Sequence, residues 1–253
     1  MIAYLADCGY VKSNTFSLCT SGQRTDALEI DRYLTPAAWT AVFDTLETLP
    51  TSTATQVSAR ERALFVITWT EATGARPSEL ARAKMADVRY ANHSDDSGWW
   101  WYIKDTDLNS TRVPVTDYAM AALQRYRQHL GLPAQPSEIE SAIALVWQIR
   151  GKNRSAGVTR SLLYESIKRV FLKAATQAED GDPNMAERLR SACISWIRNT
   201  AATNALAGDM PIADVQQLMR HSSPNITARH YHRDDGEFHE RAQRKSPLKR
   251  DNQ

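Results

Sequence analysis

The sequence predicts a mainly α-helical domain carrying one small antiparallel β-sheet. Three observations point there. Apolar residues recur at helical spacing over most of the chain. Strand-like alternation is confined to one short region, roughly residues 86–115. No internal repeat is present that would indicate a solenoid or propeller.

The first element opens at Thr35, a helix-capping residue followed by Pro36 at the first helical position. Trp39, Val42, Phe43 and Leu46 then form a helical stripe. A strongly apolar helix is expected over 57–72, with Gly74 as its terminator and Pro77 opening a short helix through Glu79 and Leu80. Strands are expected over 86–90, 99–104 and 111–115, the last at a sheet edge because Pro114 cannot donate to a ladder.

Tyr118, Ala119, Ala122, Leu123, Tyr126 and Leu130 define one face of the next helix, which Gly131 and Pro133 end. Residues 134–158 read as loop with a buried stretch over 143–149. Helices are expected over 159–178 and, uninterrupted, 185–206, with Gly208 as the stop. Pro211 opens another, with Ile212, Val215, Leu218 and Met219 on one face. A short helix from Ser223-Pro224 would carry Tyr231, and a polar, basic tail follows Arg233.

Bulk properties narrow the function classes. Three cysteines show no CxxC spacing and suggest no disulfide framework, which favours a reducing, cytoplasmic setting. No apolar run approaches the ~20 residues of a membrane span, and the N-terminus has no signal-peptide layout. Net charge is only +2, but unevenly spread: 13 Lys/Arg against 17 Asp/Glu up to residue 140, then 18 against 12. A basic C-terminal half is compatible with phosphate contact without proving it.

The chemistry-bearing residues are two isolated arginines, Arg76 in Thr73-Gly74-Ala75-Arg76-Pro77-Ser78-Glu79-Leu80 and Arg198 in Ser195-Trp196-Ile197-Arg198. Lys104 ends a strand between them. Arg220-His221 and then Arg229-His230-Tyr231 follow. Arginine suits phosphate oxygens because its planar fork donates bidentately and stays charged. Arg198 sits among Ile194, Ile197 and Ala201, where a lone guanidinium needs a partner. Each residue taken singly fits an ordinary cap, salt bridge or buried tyrosine; the ordered set is specific.

From about Leu34 to His232 that set resembles the catalytic domain of the tyrosine recombinase (phage integrase) family. The resemblance implies an integrase-type DNA breaking-rejoining fold and site-specific recombination by transesterification. Tyr231 would be the nucleophile, forming a 3′-phosphotyrosyl intermediate. Arg76, Arg198 and His221 would bind the phosphate, and Lys104 would protonate the leaving 5′ oxygen. A free lysine titrates near ~10.4 and is a better acid where neighbouring cations lower that value. Glu79 is expected to buttress locally.

Arg220 stands where the family usually has glycine, which suggests a backbone with no glycine-only conformation and an added DNA-facing charge. Ser195 and Asn199 stand where the family has histidines. Serine can hydrogen-bond a phosphate oxygen but cannot take a proton near neutral pH, so reduced activity is expected. Lys152, Arg154 and Arg160 are candidate DNA-backbone contacts, with Lys168, Arg169 and Lys173 on the helix behind them; a solvated helix face accounts for these equally well.

The same resemblance divides the chain into a linker remnant at 1–33, a catalytic domain at 34–233 and a basic tail at 234–253. On that reading the N-terminal DNA-clamping domain is expected to be essentially absent. It implies no metal or other cofactor and no membrane. The implied partners are double-stranded DNA, further copies in a synaptic tetramer, and accessory DNA-bending proteins. The setting would be a phage or other mobile element acting on nucleoid DNA in the cytoplasm. Two other readings stay open: a catalytically inactive DNA-binding remnant, and type IB topoisomerase-like cleavage and rejoining.

Overall fold

A run of apolar residues ending in a left-handed glycine organises the molecule. The computed structural model describes residues 32–92, 97–104, 110–149 and 156–220. The expected linker remnant before Arg32, the short helix expected from Ser223 and the tail after Arg233 lie outside these residues.

Helix α1 (Pro36–Glu47) starts as expected: the Thr35 side chain accepts from the Ala38 amide and Pro36 takes the first position. Trp39, Val42 and Leu46 are buried, with Phe43 packed beside Trp39. Helix α2 (Ala54–Thr73) begins three residues before the apolar run. Thr53 and Gln56 form a capping box there, exchanging side-chain and backbone hydrogen bonds. It ends at Gly74, whose φ of 58° is open to glycine at little cost. Helix α3 (Pro77–Arg82) follows at once.

The sheet departs slightly from expectation. A 3-10 turn at Met85–Asp87 replaces the start of the first strand, so β1 is Val88–Ala91. Strands β2 (Gly98–Lys104) and β3 (Ser110–Pro114) follow in antiparallel order β1-β2-β3, which places Pro114 on an edge strand. Val88, Trp101 and Val113 lie side by side in register and are buried. Trp101 meets Trp69 of α2 edge-on, 5.7 Å between ring centroids. That contact fixes the strand ending in Lys104 against the helix leading to Arg76.

Helix α4 (Asp117–His129) is capped by Thr116 and stacks Tyr126 on Phe65 of α2, rings 4.7 Å apart and nearly parallel. Tyr118, expected on its buried face, is instead 42% exposed. The segment after α4 is irregular but buried at Ala144, Leu145 and Val146. Fully buried Arg127 organises it, donating to both Glu140 carboxylate oxygens and to the carbonyls of Pro133 and Gln135.

Helix α5 (Arg160–Ala178), capped by Thr159, runs through the core with Leu163, Ile167, Val170 and Phe171 buried. The uninterrupted helix expected over 185–206 is two helices, α6 (Pro183–Ser191) and α7 (Ile194–Ala207). Ala192 and Cys193 between them are extended. The break is stabilised from outside: Lys168 of α5 donates to the carbonyls of Arg190 and Ala192, satisfying groups the ended helix leaves open. Helix α8 (Ile212–Met219) ends at Arg220. Among the described residues no helix is long and apolar enough to cross a membrane.

Breaking a buried ion pair by removing one partner costs roughly 3–5 kcal/mol. Arg127→Ala, which strands Glu140 and two carbonyls, is expected to lower the urea-unfolding free energy by about that amount. A loss under about 1 kcal/mol would show that the loop does not depend on Arg127.

Candidate active site

The turn between α2 and α3 delivers Arg76. Proline at the first position of α3 and the extended conformation of Arg76 project its side chain away from the helix. Glu79, one turn on, accepts the Arg76 amide at 2.7 Å through Oε2 and the Arg76 guanidinium at 2.9 Å through Oε1. The expected local buttress is therefore present, and it is shared. The same carboxylate accepts from Arg220, Nη2 to Oε2 at 2.7 Å and Nε to Oε1 at 3.1 Å. Burial pushes the Glu79 carboxyl up, but the charges and hydrogen bonds of Arg220 and Arg76 outweigh it and hold the pKa below the ordinary range.

Arg220 corrects two expectations. Its backbone does take the left-handed conformation, with φ of 52°. The side chain is buried and does not offer itself to solvent: besides Glu79 it donates to the carbonyls of Leu218 and Gly74. The left-handed strain for a non-glycine residue, about 1–2 kcal/mol, is outweighed by a buried, multiply bonded guanidinium. Burial lowers its pKa, and Glu79 works against that.

Arg76 and Arg198 converge on the same backbone. Arg76 donates to the Arg220 carbonyl at 2.6 Å and reaches the Met219 carbonyl at 3.5 Å. Arg198, buried in α7, donates to the carbonyls of Met219 and Gly74. Its partners in the fold thus include two carbonyl oxygens that sit at the two ends of the turn-and-helix arrangement. The Arg76 side chain remains 40% exposed.

Arg76 and Lys104 open onto one cleft of about 670 Å³, together with Arg82, Thr111, Gln216 and Gln217. Lys104 is 72% exposed, and its Nζ lies 3.0 Å from Oδ1 of buried Asp87. Asp87 is fixed by accepting the Lys84 amide at 2.8 Å. Neither Asp87 nor Arg82 stands out in the sequence.

The remaining candidates separate into three groups. His221, Tyr231, Lys152 and Arg154 lie outside the described residues. Arg160 is exposed at the first position of α5 and does not line the cleft. Ser195 Oγ lies 3.0 Å from the Tyr164 hydroxyl, while Asn199 donates to the Arg32 carbonyl at 2.9 Å. Of the basic residues behind Arg160, Lys168 caps α6, and Arg169 pairs with Glu165 on an exposed face. Among the described residues no group of three His, Cys, Asp or Glu could hold a metal ion.

Residues 33–237 match the phage integrase family. The chain belongs to that family. Solved tyrosine recombinases share the integrase fold. The XerH site-specific recombinase in a post-cleavage complex with palindromic difH substrate is 17% identical, with a TM-score of 0.57. That match covers 83% of this integrase-family chain and 52% of the XerH chain. The Tn1549 transposon integrase in complex with circular intermediate DNA is also 17% identical, with a TM-score of 0.57 over 87% of this chain and 70% of its own. XerA recombinase matches at 16% identity and a TM-score of 0.54, over 86% of this chain and 66% of its own. The chain therefore spans about half the length of the XerH chain it matches. No curated protein matches the sequence.

Behind the site Glu71, buried on α2, is pushed up to about 7 by burial, against a hydrogen bond with Asn204 of α7 that lowers it. Between about pH 4.5 and 7 the folded state holds a proton that the unfolded chain releases, so stability falls as pH rises through that window. The loss amounts to roughly 3 kcal/mol. Glu71→Gln is expected to recover most of it at pH 8 and to change little at pH 4.5, measured by urea unfolding. Equal effects at both pH values would contradict this.

Proposed function

We propose that this chain performs integrase-type site-specific recombination on duplex DNA through a 3′-phosphotyrosyl intermediate. Tyr231 Oη, its proton released to water, attacks the scissile phosphorus, and the bond to the 5′ oxygen breaks. Lys104 gives that oxygen its proton, leaving a free 5′-hydroxyl. The phosphodiester character is retained in the tyrosyl ester, so rejoining by a 5′-hydroxyl needs no nucleotide. Arg76, Arg198 and His221 hold the non-bridging oxygens, where positioned positive charge lowers the barrier.

The observation that carries this reading is the convergence of Arg76 and Arg198 on the carbonyls at the end of α8, beside the cleft that Lys104 enters. Both arginines meet the chain within two residues of His221. A phosphate there would be clamped between them, and both arginines are already oriented, so little side-chain entropy is lost on binding. Asp87 holds the Lys104 ammonium at the cleft edge until a phosphodiester competes for it. Ser195 cannot supply imidazole chemistry, which favours a slow enzyme.

Residues 34–233 are read as the catalytic domain, preceded by linker at 1–33 and followed by a tail at 234–253. The DNA complexes of XerH and of Tn1549 integrase support double-stranded DNA as the partner. Self-association as a synaptic tetramer, accessory DNA-bending proteins, a mobile-element origin and action on nucleoid DNA in the cytoplasm follow from the same reading.

Covalent trapping tests it. The protein is incubated with a nicked duplex carrying the end sequence of its element and resolved on a denaturing gel, with Tyr231→Phe alongside. A slower-migrating protein–DNA band that the variant lacks is expected. DNA binding without any covalent band would favour an inactive DNA-binding remnant.

A further inference from the structure

The Tyr164 hydroxyl on α5 and the Ser195 hydroxyl on α7 lie 3.0 Å apart across the interface between their helices. Ser195 precedes Arg198 by three residues, so both side chains belong to one face of α7. From that face Arg198 extends to the carbonyls of Gly74 and Met219 at the end of α8. The opposing face of α5 is fixed as well. Lys168, one turn beyond Tyr164, is bonded to the carbonyls of Arg190 and Ala192 that close α6. Tyr164 therefore approaches Ser195 from a helix anchored on both sides of the α6–α7 break.

A lone serine hydroxyl samples several rotamers and points its proton wherever an acceptor lies. Two hydroxyls in contact share one proton between them and keep the second for another acceptor. This holds whichever of the two is the donor. The pair thus presents one oriented O–H from a residue one helical turn before Arg198 on α7.

We propose that Tyr164 is a positioning residue for strand cleavage: it orients Ser195 so that the hydroxyl pair hydrogen-bonds the phosphate held by Arg198. This rests on the recombinase reading above. It explains how a site with serine where relatives carry an imidazole keeps a hydrogen-bond donor at that place.

The test compares wild type, Tyr164→Phe, Ser195→Ala, the double variant, and Ser195→His in the Tyr164→Phe background. Three quantities are read: the single-turnover rate of covalent adduct formation on the nicked duplex, the affinity for inorganic phosphate by phosphorus NMR titration, and the melting temperature. Each single variant is expected to cleave about tenfold more slowly, the worth of one hydrogen bond to a charged group. The double variant should be no slower than either single one.

Ser195→His should restore the rate and introduce a pH dependence near ~6.5 that wild type lacks. Tyr164→Phe cleaving at the wild-type rate, or single effects that multiply in the double variant, would overturn the proposal while leaving the recombinase reading intact. If wild type forms no adduct, the recombinase reading fails, and phosphate affinity then decides. Equal, non-additive losses in the two single variants sustain the hydroxyl pair. Unchanged affinity, or no phosphate binding by wild type, removes it. A variant whose melting temperature falls while rate and phosphate affinity hold would show an interhelical contact and nothing more.

Discussion

One buried carboxylate holds the site together. Glu79 is enclosed by the turn between α2 and α3 on one side and the end of α8 on the other, and it accepts from both Arg76 and Arg220. A carboxylate in that position is costly unless paired and hydrogen-bonded, and a guanidinium as buried as Arg220 is equally costly alone. Each makes the other tolerable. Their pairing closes α8 over the Gly74 turn, and the closure brings the carbonyls of Met219 and Arg220 within reach of Arg76 and Arg198. Gly74 belongs to the same arrangement: a side chain there would meet Met219, whose sulfur and methyl already fill the space.

The lysine arm of the site depends on a separate constraint. Lys104 ends a strand whose neighbour Trp101 is seated edge-on against Trp69 of α2, four residues before Thr73. Because α2 also carries the turn that presents Arg76, the rigid helix sets the spacing between arginine and lysine across the cleft. Asp87, from the 3-10 turn before β1, then holds the ammonium at the cleft edge. Arg76 and Lys104 are thus positioned by packing and by the carboxylates of Glu79 and Asp87.

Local signals made most of the fold legible. Thr35 caps a helix where the sequence places it, and Gly74 and Pro114 take the conformation and the edge position their chemistry requires. What sequence reasoning missed is long-range. No proline or glycine marks the break at Ala192–Cys193, because Lys168 of another helix stabilises it. A glycine-only rule at position 220 fails because Glu79, 141 residues away, holds the arginine. Glu71 reads as an ordinary helical glutamate; only its enclosure against α7 makes it titrate near neutrality. Arg76, Lys104 and Glu79 were legible as a set through the ordered resemblance, and their convergence on one cleft came from topology.

Glu79 and Arg220 form one energetic unit on which the arrangement of the site depends. A double-mutant cycle with Glu79→Gln and Arg220→Met, followed by urea unfolding, measures it directly. Residues sharing one buried network show interaction energies of roughly 0.5–3 kcal/mol. A coupling of about 2–3 kcal/mol is expected, with the double variant more stable than the sum of the single losses predicts. Losses that simply add would mean that the two groups stabilise the fold independently, and that something else brings Arg76 and Arg198 together.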